Sequence, residues 1–195
     1  MNLKVNEIFY SLQGEGGRVG EASIFIRLSG CNLDCDFCDT EFETGYDMSL
    51  DEILSEISQF PCSWIIWTGG EPTLQLTDGV LSFFKSKGYK QAIESNGLKP
   101  ISLLLDYIVC SPKGNSFDIV RKINLKVNEI RLPVKKNVQL PDIEELPVAD
   151  NYFLSPVFDP NNQITAENIA WCVEQIKKHT EWRLSLQMHK LINIP

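Results

Sequence analysis

Along this 195-residue chain, short apolar runs rich in β-branched and aromatic residues alternate with segments in which apolar side chains return at helical spacing. The runs are ASIFIRLS (22–29), SWIIWT (63–68), KQAIE (90–94), DYIVCS (106–111), NEIRLPV (128–134), NYFLSP (151–156) and RLSLQM (183–188). Several are apolar almost throughout, the pattern of strands covered on both faces in a parallel sheet. The clearest helix begins after Ser49, which caps it while Glu52 completes a capping box, with Leu50, Ile53, Leu54 and Ile57 on one face. Residues 77–87, with Val80, Leu81, Phe83 and Phe84, and residues 165–179, with Ile169, Val173 and Ile176 inward, predict further helices.

Strands alternating with helices define an α/β protein built from βαβ units. About six parallel strands in a chain of this length predict an open, partial β/α barrel, because a closed eightfold barrel typically needs about 250 residues. The stretch 3–16 precedes these strands and predicts an additional strand and loop. No repeat or flexible linker divides residues 1–195, so they are expected to form one domain. In such folds the loops after strand C-terminal ends share one face. SGCNLDCDFCDT (29–40), TGGEP (68–72), ESNG (94–97) and SPKG (111–114) each follow a predicted strand, so they are expected to converge there.

Composition narrows the chemistry. With 43% apolar residues the chain can bury a sizeable core without crosslinks, so its six cysteines are not needed as staples. MNLKVNEIFY has no signal-like apolar run, and nothing approaches the roughly 18 apolar residues of a membrane span. The expectation is a cytoplasmic protein whose clustered thiols serve metal or redox chemistry, with no membrane partner. A net charge of −8 argues against a nucleic-acid partner.

Cys31, Cys35 and Cys38 form CxxxCxxC, three corners of a tetrahedral zinc site or ligands to three irons of a cubane cluster. Zinc would need a fourth ligand, and beyond isolated cysteines the chain offers only His179, which suits a helix-dipole role, and His189. An iron–sulfur cluster held by three thiolates keeps one iron open to an external ligand. Cys62, Cys110 and Cys172 sit alone in apolar contexts and read as buried structural thiols.

Other candidates carry two readings each. TGGEP is a turn, or a close backbone approach to a ligand with Glu71 supplying negative charge. Ser95 and Asn96 serve equally as turn residues, and Ser111, Pro112 and Lys113 as a solvated strand exit. Arg27 interrupts an apolar strand, where a charge is costly unless paired: it sits on an edge, in an internal salt bridge, or on a planar anion. The loop Leu12, Gln13, Gly14 and Glu15 is a turn, or a set of donors and acceptors for a heterocycle edge.

The cysteine spacing, with Phe37 as the aromatic before Cys38, together with TGGEP resembles the radical S-adenosylmethionine (AdoMet) superfamily. IFYSLQGEG (8–16), FIRLSGC (25–31), CDT (38–40) and LQMHKLINIP (186–195) resemble the 7-carboxy-7-deazaguanine synthases within it. The resemblance implies a [4Fe–4S] cluster on Cys31, Cys35 and Cys38, with AdoMet on the open iron. It implies AdoMet contacts from Phe37, Cys38, Asp39, Gly69, Gly70, Glu71, Ser95, Asn96, Ser111, Pro112 and Lys113, and from Ser155, Pro156, Val157 and Phe158, where the sequence departs from a commoner Gln-Pro version. It puts Leu12, Gln13, Gly14, Glu15, Arg27, Thr68 and the Pro195 carboxylate on a pterin substrate, and a Mg²⁺ at Thr40, with His189 and Lys190 positioning the tail. The implied reaction contracts the ring of 6-carboxy-5,6,7,8-tetrahydropterin with loss of ammonia. An adenosyl radical takes the C6 hydrogen and returns it, so AdoMet is regenerated. The implied partners are an electron donor such as flavodoxin or ferredoxin and a second copy in a homodimer. A glycyl-radical activase shares the cysteines and GGEP, and a non-catalytic zinc or electron-transfer module shares the cysteines; these are the alternatives.

Overall fold

The computed structural model describes residues 1–36, 38, 41–113, 126–158 and 165–195. Its strands are β1 (Asn2–Leu12), β2 (Ala22–Leu28), β3 (Tyr46–Ser49), β4 (Trp64–Gly69), β5 (Lys90–Ser95), β6 (Tyr107–Cys110), β7 (Val127–Val134), β8 (Ala149–Pro156) and β9 (Trp182–Leu184). They form a single nine-stranded sheet in the order β3-β1-β2-β4-β5-β6-β7-β8-β9. From β2 to β9 every neighbouring pair is parallel, while β1 runs antiparallel to both β2 and β3. This is the expected open β/α sheet with an additional N-terminal strand.

Helix α1 (Leu50–Ile57) has the capping box read from the sequence: the Glu52 N–H donates to Ser49 Oγ at 3.2 Å, and the Ser49 N–H donates to Glu52 Oε2 at 2.7 Å. Helices α2 (Asp78–Ser86) and α3 (Ala166–Lys178) occupy the expected segments, with Thr77, Thr165, Lys87 and His179 as their caps. Ile53 and Ile57 of α1 and Val80, Leu81 and Phe84 of α2 are buried in the core. There they meet Ile24, Ile26 and Leu28 of β2 and Ile65 and Trp67 of β4. Trp67 and Phe84 meet edge to face at 5.3 Å, and the Trp67 indole N–H donates to Gln91 at 3.0 Å.

Three expectations are corrected. Val173 of α3, expected inward, is 36% exposed, and its neighbour Cys172 is the helix residue buried in the core. RLSLQM (183–188) is not one strand: β9 ends at Leu184, and Met188–Ile192 forms a short helix, α4. The chain leaves the sheet because its polar groups engage the loop after β1. Gly16 N–H donates to Ser185 Oγ at 2.9 Å, and Met188 N–H to Gly14 O at 2.9 Å. The edge strand β3 was not expected, since YDMS (46–49) carries no strand pattern of its own. It is drawn in by pairing Asn2 to Val5 with Ser49 to Tyr46, which covers the exposed rim of β1.

Because Phe84 is fully buried against Trp67, Phe84→Ala is expected to cost about 3–5 kcal/mol. Ser49→Ala is expected to cost only about 1 kcal/mol. Denaturant midpoints of the two variants, taken at an unchanged m-value, check the ranking.

Candidate functional site

Alternation along the strands determines what faces inward. In β2, Ile24, Ile26 and Leu28 point to the helices, so Phe25 and Arg27 point the other way, into a cavity of about 950 Å³. The same rule brings Thr68 of β4, Glu94 of β5, Arg131 of β7 and Ser155 of β8 to its walls. Loops following the strands complete it.

Nearly all the candidate residues meet here. The cavity is lined by Leu12, Gln13, Gly14, Glu15, Arg27, Thr68 and Pro195, and by Cys31, Cys35 and Cys38. Gly69, Gly70, Ser95, Asn96, Ser111 and Lys113 lie on its walls, as do Ser155, Pro156, Val157 and Phe158. Pro112 is buried and does not line it, and neither does Glu71. Phe37, Asp39 and Thr40 lie outside the described residues.

Glu71, expected as a cofactor contact, lies behind the cavity wall and does not line it. Its side chain is fully buried and takes donors from the protein itself: Thr73 N–H at 3.0 Å, Thr73 Oγ1 at 2.6 Å, Ser95 Oγ at 2.9 Å and Asn96 N–H at 2.7 Å. It therefore fixes the loop after β5. Asn96 in turn donates to Asn32 in the cysteine loop at 2.9 Å. Gly69 and Gly70 permit a backbone crossing: a Cβ at Gly69, which has φ +122°, would lie 2.1 Å from Leu28 O, and one at Gly70 would lie 2.0 Å from Gly30 O. The turn after β4 thus rests directly on the start of the cysteine loop, with Glu71 N–H donating to Gly30 O at 2.8 Å.

Cys31 and Cys35 are half-buried and Cys38 is exposed, with a tight turn in which Cys38 N–H donates to Cys35 O at 2.9 Å. Burial pushes the Cys35 thiol up, nearby Lys113 opposes this, and Cys38 and Cys31 add to it. The thiols thus share one electrostatic environment, although among the described residues none of the His, Cys, Asp or Glu groups are gathered in threes at ligating distance. This donor set fits an iron–sulfur cluster better than zinc. The remaining cysteines are elsewhere, Cys110 and Cys172 fully buried with thiols pushed up to about 12 and about 11 by burial, whereas Cys62, expected buried with them, is half-buried. His189 lines the cavity but is packed on Gly14, where a Cβ would meet its Nδ1 at 2.1 Å.

The opposite wall holds the residues that sequence reasoning missed. Arg131, 4% exposed, donates from Nη1 to Glu15 at 2.8 Å and to Glu94 at 3.1 Å, and from Nη2 to Glu129 at 3.0 Å. Burial disfavours its cation, but Glu94, Glu15 and Glu129 outweigh that and hold the proton more firmly than on an ordinary arginine. Burial raises the Glu94 carboxyl above its ordinary value, with Arg131 opposing. Gln13 donates to Glu94 at 3.1 Å and Ser155 to Glu15 at 3.3 Å. The signal was available: charges inside KQAIE and NEIRLPV are as anomalous as the one in IFIRLSG.

Arg27 takes the salt-bridge reading. It pairs with Glu7 across β1 and β2 at 2.6 Å and also faces the cavity, beside the stacked rings of Phe9 and Phe25. At the other end of the chain, Ser11 Oγ donates to Pro195 O at 2.8 Å, and Lys190 Nζ lies 4.8 Å from the Phe158 ring centroid.

Residues 25–132 match the Radical SAM superfamily, the class that a parallel sheet with a three-cysteine loop defines. The chain is 43% identical over 195 residues to the 7-carboxy-7-deazaguanine synthase of Bacteroides thetaiotaomicron, covering 100% of both. It is 40% identical over 201 residues to that of Haemophilus influenzae, covering 99% of this chain and 94% of the relative. The crystal structure of QueE from Escherichia coli shares the fold, with a TM-score of 0.73 at 23% identity over 97% of this chain and 95% of that one. The chain therefore belongs to the radical SAM superfamily and, within it, to the 7-carboxy-7-deazaguanine synthase family. Membership brings a [4Fe–4S] cluster and AdoMet as the groups this site serves.

Because Glu71 satisfies buried donors of Thr73, Ser95 and Asn96, Glu71→Ala is expected to destabilise the protein by roughly 3 kcal/mol. Urea unfolding of the protein checks this, with Thr73→Ala as a milder comparison.

Proposed function

We propose that this chain converts 6-carboxy-5,6,7,8-tetrahydropterin to 7-carboxy-7-deazaguanine with release of ammonia, a ring contraction on the route to queuosine and related deazapurines. One observation carries the reading: a single cavity joins the three-cysteine loop to a wall of Gln13, Glu15, Arg27 and Thr68. That wall suits a carboxylated pterin. Glu15 offers lone pairs to ring N–H and amino donors, Gln13 can donate or accept, and the Arg27 fork matches a planar carboxylate.

Cys31, Cys35 and Cys38 would hold the cluster, and a reduced cluster with AdoMet supplies a radical able to abstract hydrogen from an unactivated carbon. The chain's own part is binding, orientation and charge. Gly69 and Gly70 let backbone polar groups approach AdoMet, and Ser95, Asn96, Ser111, Lys113 and the segment Ser155 to Phe158 border the same space. Lys113 Nζ donates to Ser111 Oγ at 2.6 Å, which orients the ammonium at the cavity wall. The reading extends to a Mg²⁺ held by Thr40 and the substrate, to Pro195 as a pterin contact, to a flavodoxin- or ferredoxin-type electron donor, and to a homodimer working in the cytoplasm. Among the described residues no helix is long and apolar enough to cross a membrane.

The test is anaerobic turnover of the reconstituted protein with the pterin, AdoMet, Mg²⁺ and a reductant, following product and AdoMet by mass spectrometry. Product in excess of AdoMet lost is expected. Cys35→Ser is expected to abolish both the cluster absorbance and the product without changing the far-ultraviolet dichroism. Chelating Mg²⁺ is expected to lower turnover. Reductive AdoMet cleavage with no deazaguanine product from wild-type protein would refute the substrate.

A further inference from the structure

We propose that Arg131 is the positioning residue of the substrate wall: anchored on Glu129, it holds the Glu15 and Glu94 carboxylates side by side as acceptors for the N–H edge of one ligand. This rests on the pterin reading above. The two carboxylates belong to different elements, the loop after β1 and strand β5, and both are largely buried, with side chains 16% and 20% exposed. Two like charges so placed repel each other and lose solvation, so a cation must join them. One guanidinium nitrogen does so, with Nη1 donating to Glu15 Oε2 at 2.8 Å and to Glu94 Oε2 at 3.1 Å.

The guanidinium is itself immobilised. Its Nη2 donates to Glu129, whose side chain is 1% exposed and whose Oε1 also accepts from the Tyr107 hydroxyl at 2.6 Å and from Gly17 N–H at 2.8 Å. The loop lies close to this pair because residue 16 is glycine: a Cβ there would sit 2.0 Å from Glu129 Oε2 and 2.6 Å from Arg131 Nη2. Glu15, Glu94, Glu129 and Tyr107 are the titratable groups around the guanidinium, and half-buried Lys113 adds a second cation to the field. Burial pushes the Glu94 carboxyl up, and Arg131 is the largest influence pulling it back down. Without Arg131, Glu94 takes up a proton more readily and turns from acceptor towards donor, which mismatches an N–H edge.

The experiment measures pterin affinity across pH 5.5–8.5 for wild type, Arg131→Met and Arg131→Lys, each reconstituted anaerobically, with AdoMet affinity and thermal midpoint in parallel. Arg131→Met is expected to weaken pterin binding about tenfold or more, the size of a lost charge-assisted hydrogen bond. The acid limb of binding is expected to move to higher pH, because binding needs an ionised Glu94 carboxylate, while AdoMet affinity stays close to wild type. Arg131→Lys keeps the charge but not the fork, so it is expected to pull the acid limb back while restoring only part of the affinity. If Arg131→Met does not fold, the Arg131→Lys affinity and pH limb decide. Pterin and AdoMet affinity falling together with the acid limb unmoved, or pterin binding unchanged, would overturn the positioning role. Wild-type protein that binds AdoMet but not the pterin would overturn the substrate reading and this inference with it.

Discussion

The register of the parallel sheet is the constraint on which this site depends. Side chains alternate faces along a strand, so a slip of one residue would exchange the two faces completely. Pairing Ile26 with Trp67 and Arg27 with Thr68 puts Trp67 under the helices and Arg27 and Thr68 in the cavity. The same alternation separates Ile130 and Leu132 from Arg131 on β7, and Leu154 from Ser155 on β8. Burial of the helix face enforces the register. Ile24, Ile26, Ile65 and Trp67 are fully inaccessible, and exposing any of them costs about 1.5–3 kcal/mol. The polar wall is therefore held in place by the apolar packing behind it.

Elements whose local chemistry agrees with their tertiary setting were legible in the sequence. Ser49 and Glu52 announce α1 because both partners of the capping box lie within one turn, and the near-continuous apolar runs announce the parallel strands. The cysteine spacing and TGGEP were equally local. Legibility failed where the deciding partner is distant in sequence. β3 exists because β1 needs a neighbour, and the run after Leu184 turns into α4 because Gly14 and Gly16 present partners to it. No local feature of TGGEP shows that Thr73, Ser95 and Asn96 donate to Glu71, so its part in fixing the loop after β5 was not read. Glu94 and Arg131 were passed over as strand interior although Arg27, a charge in the same kind of setting, was noticed.

Three carboxylates around one buried guanidinium are hard to justify as a stability device. Replacing such networks by well-packed apolar residues is often neutral or stabilising, while removing one member is strongly destabilising. The chain has a large apolar layer on the other side of the sheet, in which Trp67 and Phe84 are fully buried. What the network does achieve is a fixed spacing of acceptors on a wall that would otherwise be mobile, since Glu15 belongs to a loop and Glu94 to a strand. Preorganised acceptors need no rearrangement when a ligand with matching donors arrives.

Glycine links this wall to the rest of the cavity. At Gly14, Gly16, Gly69 and Gly70 a Cβ would lie between 2.0 and 2.1 Å from a neighbouring atom, which is backbone at Gly69 and Gly70 and a side chain at Gly14 and Gly16. Gly69 and Gly70 press on the start of the cysteine loop, Gly16 on Glu129, and Gly14 on His189. A displacement of one loop must then be shared by its neighbour, because close-packed contacts transmit strain. The cysteine loop is tied through Asn32 and Asn96 to Glu71, and the QGEG loop through Glu15 and Arg131 to Glu94 in the same strand that leads to Asn96. β5 is thus the element common to both halves: its Glu94 faces the Gln13 and Glu15 wall, and the two residues after it are held by Glu71. Under the proposed function, a hydrogen transfer between a cofactor on one half and a substrate on the other would require that spacing to be kept, and the end of one strand sets it.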